Sequence, residues 1–127
     1  MHKLEGIMPL FIVSDLRRAV DFYCAALGFE LRMSTPDEDP FFAIVGRDRV
    51  GIMLKHINAD TPALPNPARH PWAKWDAFVQ TTDPESMARA CSTPAPVQVH
   101  DTDDGLRGFE VTDPDGHVLF FGHAREA

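Results

Sequence analysis

One pattern occurs twice along this chain, and it restricts the fold more than any other feature. Residues 6–13 (GIMPLFIV) form a short apolar run of strand length. Ser14 and Asp15 follow, and either can cap the helix DLRRAVDFYCAAL. Leu16, Ala19, Val20, Tyr23, Ala26 and Leu27 recur there at helical spacing, and Gly28 is a natural stop. Three strand-like runs come next: residues 29–33, then 41–46 after the turn-rich STPDEDP, then 50–56 after a polar turn. The order is strand, helix, strand, strand, strand. After residues 57–71, which contain four prolines and no clear period, the same order returns. WDAFVQT (75–81) reads as a strand. Asp83-Pro84-Glu85 opens a short helix, SMARACS, with a capping acid and proline at the first helical position. PVQVH, LRGFEVT and HVLFFG then read as strands, the last two joined by the tight turn DPDG (113–116). Asp83 lies 68 positions after Asp15 and Cys91 lies 67 after Cys24; the hairpin 42–53 recurs at 109–120, again 67 on. Three agreeing offsets point to an internal duplication.

The 127 residues suit one domain built from two small halves, not two independent domains. Hydrophobic residues at 44% and charged residues at 24% are those of a globular chain. No apolar run approaches the roughly 20 residues of a bilayer span, and no secretory leader is read at the start. Twelve basic against nineteen acidic residues give a formal charge of −7, which disfavours nucleic acid and anionic lipid as partners. The two cysteines, both placed in helices, do not form a secreted disulfide framework; they read as buried thiols in a reducing cytoplasm. There is no G-x-S-x-G, P-loop, dinucleotide fingerprint or CxxC.

The opening VSDLRRAVDFYCAALGFEL and the closing RGFEVTDPDGHVLFFG resemble the two signature segments of the vicinal oxygen chelate superfamily (glyoxalases, extradiol dioxygenases, fosfomycin- and bleomycin-resistance proteins), the closing hairpin its bleomycin-resistance-like branch in particular. The resemblance runs from Gly6 to Gly122. It implies an α+β fold in which tandem βαβββ modules form an eight-stranded curved mixed sheet. Residues 1–127 would be a single such domain, with module 6–56, linker 57–73 and module 74–123. It also implies an open cup, with the helices outside.

Metal-dependent members of that superfamily carry ligands, usually His and Glu, on the first and last strands of a module. Carried over by position, those places are Met8, Met53, Asp76 and Phe120 here. Thioethers and a phenyl ring are poor donors for zinc or a hard cation, and one carboxylate cannot make such a site alone. None of the six histidines shows compact ligand spacing, although His56 and His117 could approach each other across the halves. No metal, cofactor or catalytic residue is therefore assigned. Strand alternation puts Leu10, Ile12, Phe42, Ile44, Phe78, Gln80, Phe109, Val111 and Val118 on the same face as those four positions. An apolar, aromatic wall with few polar groups suits a planar organic ligand. The candidate ligand-binding residues are Met8, Phe42, Met53, Trp72, Trp75, Asp76, Phe78, Phe109 and Phe120. Asp76 is the charged anchor for a ligand cation, and the two tryptophans stand beside the proline-rich stretch. The same residues could instead fill a closed core, with Asp76 bonding a backbone amide. The acidic loop Asp37–Asp39 could draw cations or simply be solvated.

The expectation is a cytoplasmic homodimer that holds an apolar or cationic aromatic small molecule in a groove between chains, without metal and leaning away from catalysis, as antibiotic-sequestering relatives do. The alternative is a glyoxalase-like or dioxygenase-like enzyme on the same fold, or acid–base catalysis by Asp76 without a cofactor.

Overall fold

The computed structural model describes residues 1–126. The elements are β1 (Leu10–Ile12), α1 (Leu16–Leu27), β2 (Glu30–Thr35), β3 (Phe42–Arg47), β4 (Val50–Lys55), α2 (Asn66–Arg69), β5 (Ala77–Gln80), α3 (Pro84–Ala90), β6 (His100–Asp101), β7 (Leu106–Thr112) and β8 (Val118–Ala124). The strands divide into two four-stranded mixed sheets with the same wiring, β1-β4-β3-β2 and β5-β8-β7-β6. In each sheet the first strand runs parallel to the last and the remaining neighbours are antiparallel. The repeat in the sequence is thus a repeat in topology.

Local chemistry sets most boundaries where the sequence places them. The Asp15 carboxylate accepts from the Arg18 amide at 3.0 Å and caps α1, and Gly28 closes the helix at φ 72°. Asp83 does the same for α3 through the Ser86 amide at 3.1 Å, with Pro84 in the first turn. Gly116, at φ 92°, completes the turn between β7 and β8.

Four boundaries differ from the sequence reading. The apolar run 6–13 pairs as a strand only from Leu10, because Pro9 has no N–H to donate; its carbonyl still accepts from Met53 N at 2.9 Å. PVQVH contributes only His100 to β6, since Pro94 and Pro96 precede it and Val97 and Val99 lean on the core without pairing. The linker is not structureless: Asn66–Arg69 is one helical turn and Pro71–Ala73 a 3-10 turn. Cys91 is the residue that ends α3 rather than part of it, and both cysteines are half-buried. No helix among the described residues is long and apolar enough to cross a membrane.

One core serves both sheets. Leu16, Ala19, Tyr23, Ala26 and Leu27 of α1 meet Val45, Ile52 and Leu54 of the first sheet and share a buried cluster with Phe109, Val111, Leu119 and Phe121 of the second. The halves are also joined by a buried polar centre. Tyr23 Oη donates to Asp113 Oδ2 at 2.9 Å, and His117 Nδ1 lies 2.9 Å from the same oxygen. The amides of Asp115 and His117 both donate to Asp113 Oδ1 at 2.9 Å. Phe11 of β1 stacks on the His117 ring with centroids 4.3 Å apart, and Ser14 bonds the Asp115 carboxylate. A buried acceptor that loses one donor costs about 1–3 kcal/mol. Tyr23→Phe is therefore expected to lower stability by about 1–2 kcal/mol, read as a lower urea midpoint with an unchanged slope.

Candidate ligand-binding faces

Each sheet has a helix-covered face and an open face, and the register assigns every strand residue to one of them. In the first sheet, Phe11 pairs with Leu54, Ala43 with Leu54 and Val45 with Ile52, all buried toward α1. The open face carries Leu10 opposite Met53, Ile44 opposite Met53, and Phe42 opposite Lys55. Met8, before the strand, lies over Gly51 with its sulfur 2.7 Å from where a Cβ would stand. A register shift between Leu31 and Met33 adds to this face. It sets Leu31 opposite Val45 and turns Met33 to the open side opposite Ile44. Leu10 and Met33, at the two ends of the apolar row Leu10–Met53–Ile44–Met33 that crosses the sheet, keep about half their surface in solvent (50% and 45%).

The open face of the second sheet is aromatic. Phe78 of β5 lies opposite Phe120 of β8, which lies opposite Glu110 of β7. The Phe78 and Phe120 rings stack with centroids 5.6 Å apart at 18°, and Trp75 packs on both, 4.9 Å from Phe120 and 5.7 Å from Phe78. Phe120 is fully buried under this cover, whereas Phe78 stays exposed at its outer edge. Two glycines make room for the ring: a Cβ on Gly108 or Gly122 would stand 2.7 or 2.6 Å from Phe120 Cε1. Beyond Glu110 the same face carries His100, opposite Gly108. Its Nε2 is 2.8 Å from Glu110 Oε1, and that hydrogen bond holds the imidazole charged to higher pH than usual.

The nine residues singled out from the sequence separate accordingly. Met8, Phe42 and Met53 share the open face of the first sheet, and Trp75, Phe78 and Phe120 gather on that of the second. Phe109 does not belong with them. It pairs with Phe121, not Phe120, and is fully buried on the helix side, as is Val111. Alternation on β7 runs one residue out of phase with the sequence expectation, so that Glu110 and not Phe109 faces outward. Asp76 lies just before β5, and both its oxygens are used: Oδ1 accepts from Asn66 N at 2.7 Å and Oδ2 from Val118 N at 2.8 Å. It ties the linker to the second sheet instead of presenting a free charge. Trp72 stands 86% exposed in the linker, with only His70 as an aromatic neighbour. His56 bonds the Val13 carbonyl, while His117 belongs to the Asp113 centre. The polar pair His100–Glu110 was not singled out from the sequence. Glu110 stands between two apolar residues, and although PVQVH reads as a strand ending at His100, nothing in one strand says that His100 faces Glu110.

The donor set does not fit the superfamily's metal. Of the four corresponding positions, two are thioethers and one is a buried phenyl ring, and the carboxylate is committed to two amides. Among the described residues no three His, Cys, Asp or Glu side chains are grouped to hold an ion. Burial pushes both the Cys24 and Cys91 thiols up, so neither is a ready nucleophile.

Comparison with known proteins adds to this geometry. The family model described as Glyoxalase/Bleomycin resistance protein/Dioxygenase superfamily matches residues 6–121. Among solved structures, the bleomycin-binding protein from bleomycin-producing Streptomyces verticillus, in complex with copper(II)-bleomycin, is 27% identical with a TM-score of 0.66. That match covers 99% of this chain and 100% of that one. A glyoxalase-related enzyme from Clostridium phytofermentans is 13% identical with a TM-score of 0.72, covering 97% of both chains. An antibiotic-binding protein from Streptomyces sp. CB03234 is 22% identical with a TM-score of 0.63, covering 97% of this chain and 99% of that one. These last two likenesses establish the fold alone. No curated protein matches the chain.

The close seat of Phe120 yields a direct test of the aromatic face. Gly122→Ala sets a methyl group against both the Arg107 carbonyl and that ring, so the β7 backbone and the ring must each shift, and overpacking of this kind costs about 1–3 kcal/mol. The expected result is a lower melting temperature with a changed near-ultraviolet circular dichroism signal; an unchanged signal would mean that Phe120 is not held between the glycines and Trp75.

Proposed function

From the premise that this chain belongs to the Glyoxalase/Bleomycin resistance protein/Dioxygenase superfamily, we propose that it binds a planar, apolar or cationic aromatic small molecule without a metal ion, in a groove completed by a second copy of the chain. The observation that carries this reading is the stack of Trp75, Phe78 and Phe120 at the place where a metal-dependent member would carry a ligand. Aromatic faces offer large contact area at low entropic cost and recognise other flat rings by offset stacking. The first sheet adds a second, aliphatic and thioether face at Met8, Phe42 and Met53. Methionine adapts its shape to what it touches, which suits a ligand wall. The bleomycin-binding relative, at 27% identity over nearly all of both chains, supports sequestration as the use of such a site.

A second copy explains the half-exposed apolar patch around Leu10 and Met33, which water wets in a lone chain. Facing that patch against the aromatic face of another protomer gives a two-walled groove, and a formal charge of −7 favours a cationic guest. Among the described residues no donor set suited to the superfamily's metal chemistry is gathered, which supports recognition over that chemistry.

Fluorescence titration with bleomycin and a panel of planar aromatic compounds is the test. Saturable quenching is expected, unaffected by prior EDTA treatment, with Trp75→Ala and Phe78→Ala each weakening it about tenfold. No saturable change with any compound, or stoichiometric metal in protein purified without chelator, would overturn the reading. For the assembly, sedimentation should show a dimer that Leu10→Asp converts to folded monomer; a wild-type monomer at micromolar concentration would remove the second wall.

A further inference from the structure

Resting on the ligand-binding reading above, we propose that Glu110 selects ligands carrying a positive charge and that His100 competes with that charge for the same carboxylate. Both side chains stand on the open face of the second sheet, fixed there by register: Glu110 is opposite Phe120, and His100 is opposite Gly108. With Trp75 they bound a cavity of about 370 Å³ whose other walls include Lys74, Asp101 and Asp103. An aromatic ladder therefore ends at a carboxylate, the combination that attracts a flat cation through both its ring and its charge.

The charges around the pair leave Glu110 as the acceptor to be won. Lys74 is held by Asp104 at 3.1 Å. Asp101 is held by Arg107 at 3.0 Å and lies 3.9 Å from Arg125. Arg107 also reaches across to Glu85 at 2.8 Å on the helix side. Asp103 adds a further negative charge at the rim. Among the described residues, Glu110 meets no cation but His100.

The consequence has a definite sign. The hydrogen bond to Glu110 keeps His100 protonated above the ordinary imidazole range. Below that range the pair is internally neutralised, and a ligand cation gains little from Glu110 while being repelled by the imidazolium. As pH rises and His100 loses its proton, Glu110 is left as an uncompensated anion. Affinity for a cation therefore rises with pH, whereas affinity for a neutral ring of the same shape does not. Both groups are about half exposed, so the effect is one of selectivity rather than of gross affinity.

Calorimetric titration with N-methylacridinium, whose charge is fixed, and with neutral acridone separates these terms. The cation is expected to bind about three- to fivefold more tightly near pH 8.5 than near pH 5.5, with acridone flat across that range. His100→Gln should give the tighter cation affinity at both ends. Glu110→Gln should remove both the pH slope and the preference for the cation while acridone binds as before. Flat and equal isotherms for both compounds in the unsubstituted protein would overturn the charge selection and leave the ligand site standing. Saturation by neither compound would overturn the ligand site and this selection with it.

Discussion

The Asp113 carboxylate is the point on which the arrangement of the two halves depends. It is buried, and it collects a phenol from α1, an imidazole from the start of β8 and two amides of its own turn. Away from water, a carboxylate so placed is tolerated only while its donors stay in position, so it fixes their geometry as much as it adds energy. Burial first, and then Asp113 itself, push the Tyr23 phenol well above its ordinary range, which keeps it a donor at any pH the protein meets. The stacking of Phe11 on His117 extends the same joint to β1. Because the two modules are bolted together on their helix-covered sides, their other faces are left for something else.

Those faces show what duplication followed by divergence can do. Leu10 and Phe78 hold equivalent places on parallel first strands, and Met53 and Phe120 hold them on the last strands. One copy became aliphatic and sulfur-bearing, the other aromatic. Met8 and Asp76 correspond as well, yet only the second is charged, and its charge is spent on the amides of Asn66 and Val118. That carboxylate serves as a structural clip that fastens the linker to the sheet.

The topology was legible because its signals are local and the element order is doubled: Asp15 and Asp83 cap the two helices, Gly28 stops the first, and DPDG turns the second hairpin. Faces were harder to read. Alternation is reliable once a register is known, but on β7 no turn or cap says whether Phe109 or Glu110 points outward, and an apolar residue is the natural expectation for an apolar wall. Only pairing with Phe121 settles it. The Met33 turn escaped for a related reason, since a bulge is a property of two strands together and leaves no mark in one. Asp76 was ambiguous by nature: a carboxylate before a strand looks the same whether it awaits a cation or two amides, and the choice is made by Asn66, ten residues away across the proline-rich loop. The His100–Glu110 pair joins residues of different strands through a β6 of only two residues.

A polar pair at the end of an otherwise apolar wall has a specific physical effect. Apolar contact rewards any flat molecule in proportion to the area it buries and discriminates little among them. Discrimination has to come from a group whose pairing one guest satisfies and another does not. On this face Glu110 is such a group. Its position beside Phe120, in contact with the aromatic stack yet open to water, lets it be satisfied by His100 when no guest is present. Half-exposed, the carboxylate escapes the cost that burial would impose even when His100 has lost its proton, and on the proposed reading a guest must offer more than the imidazole does. An acidic surface raises the local concentration of cations generally, but it cannot choose among them. On the proposed reading, the choice falls to the place where the aromatic ladder and the exchangeable ion pair meet.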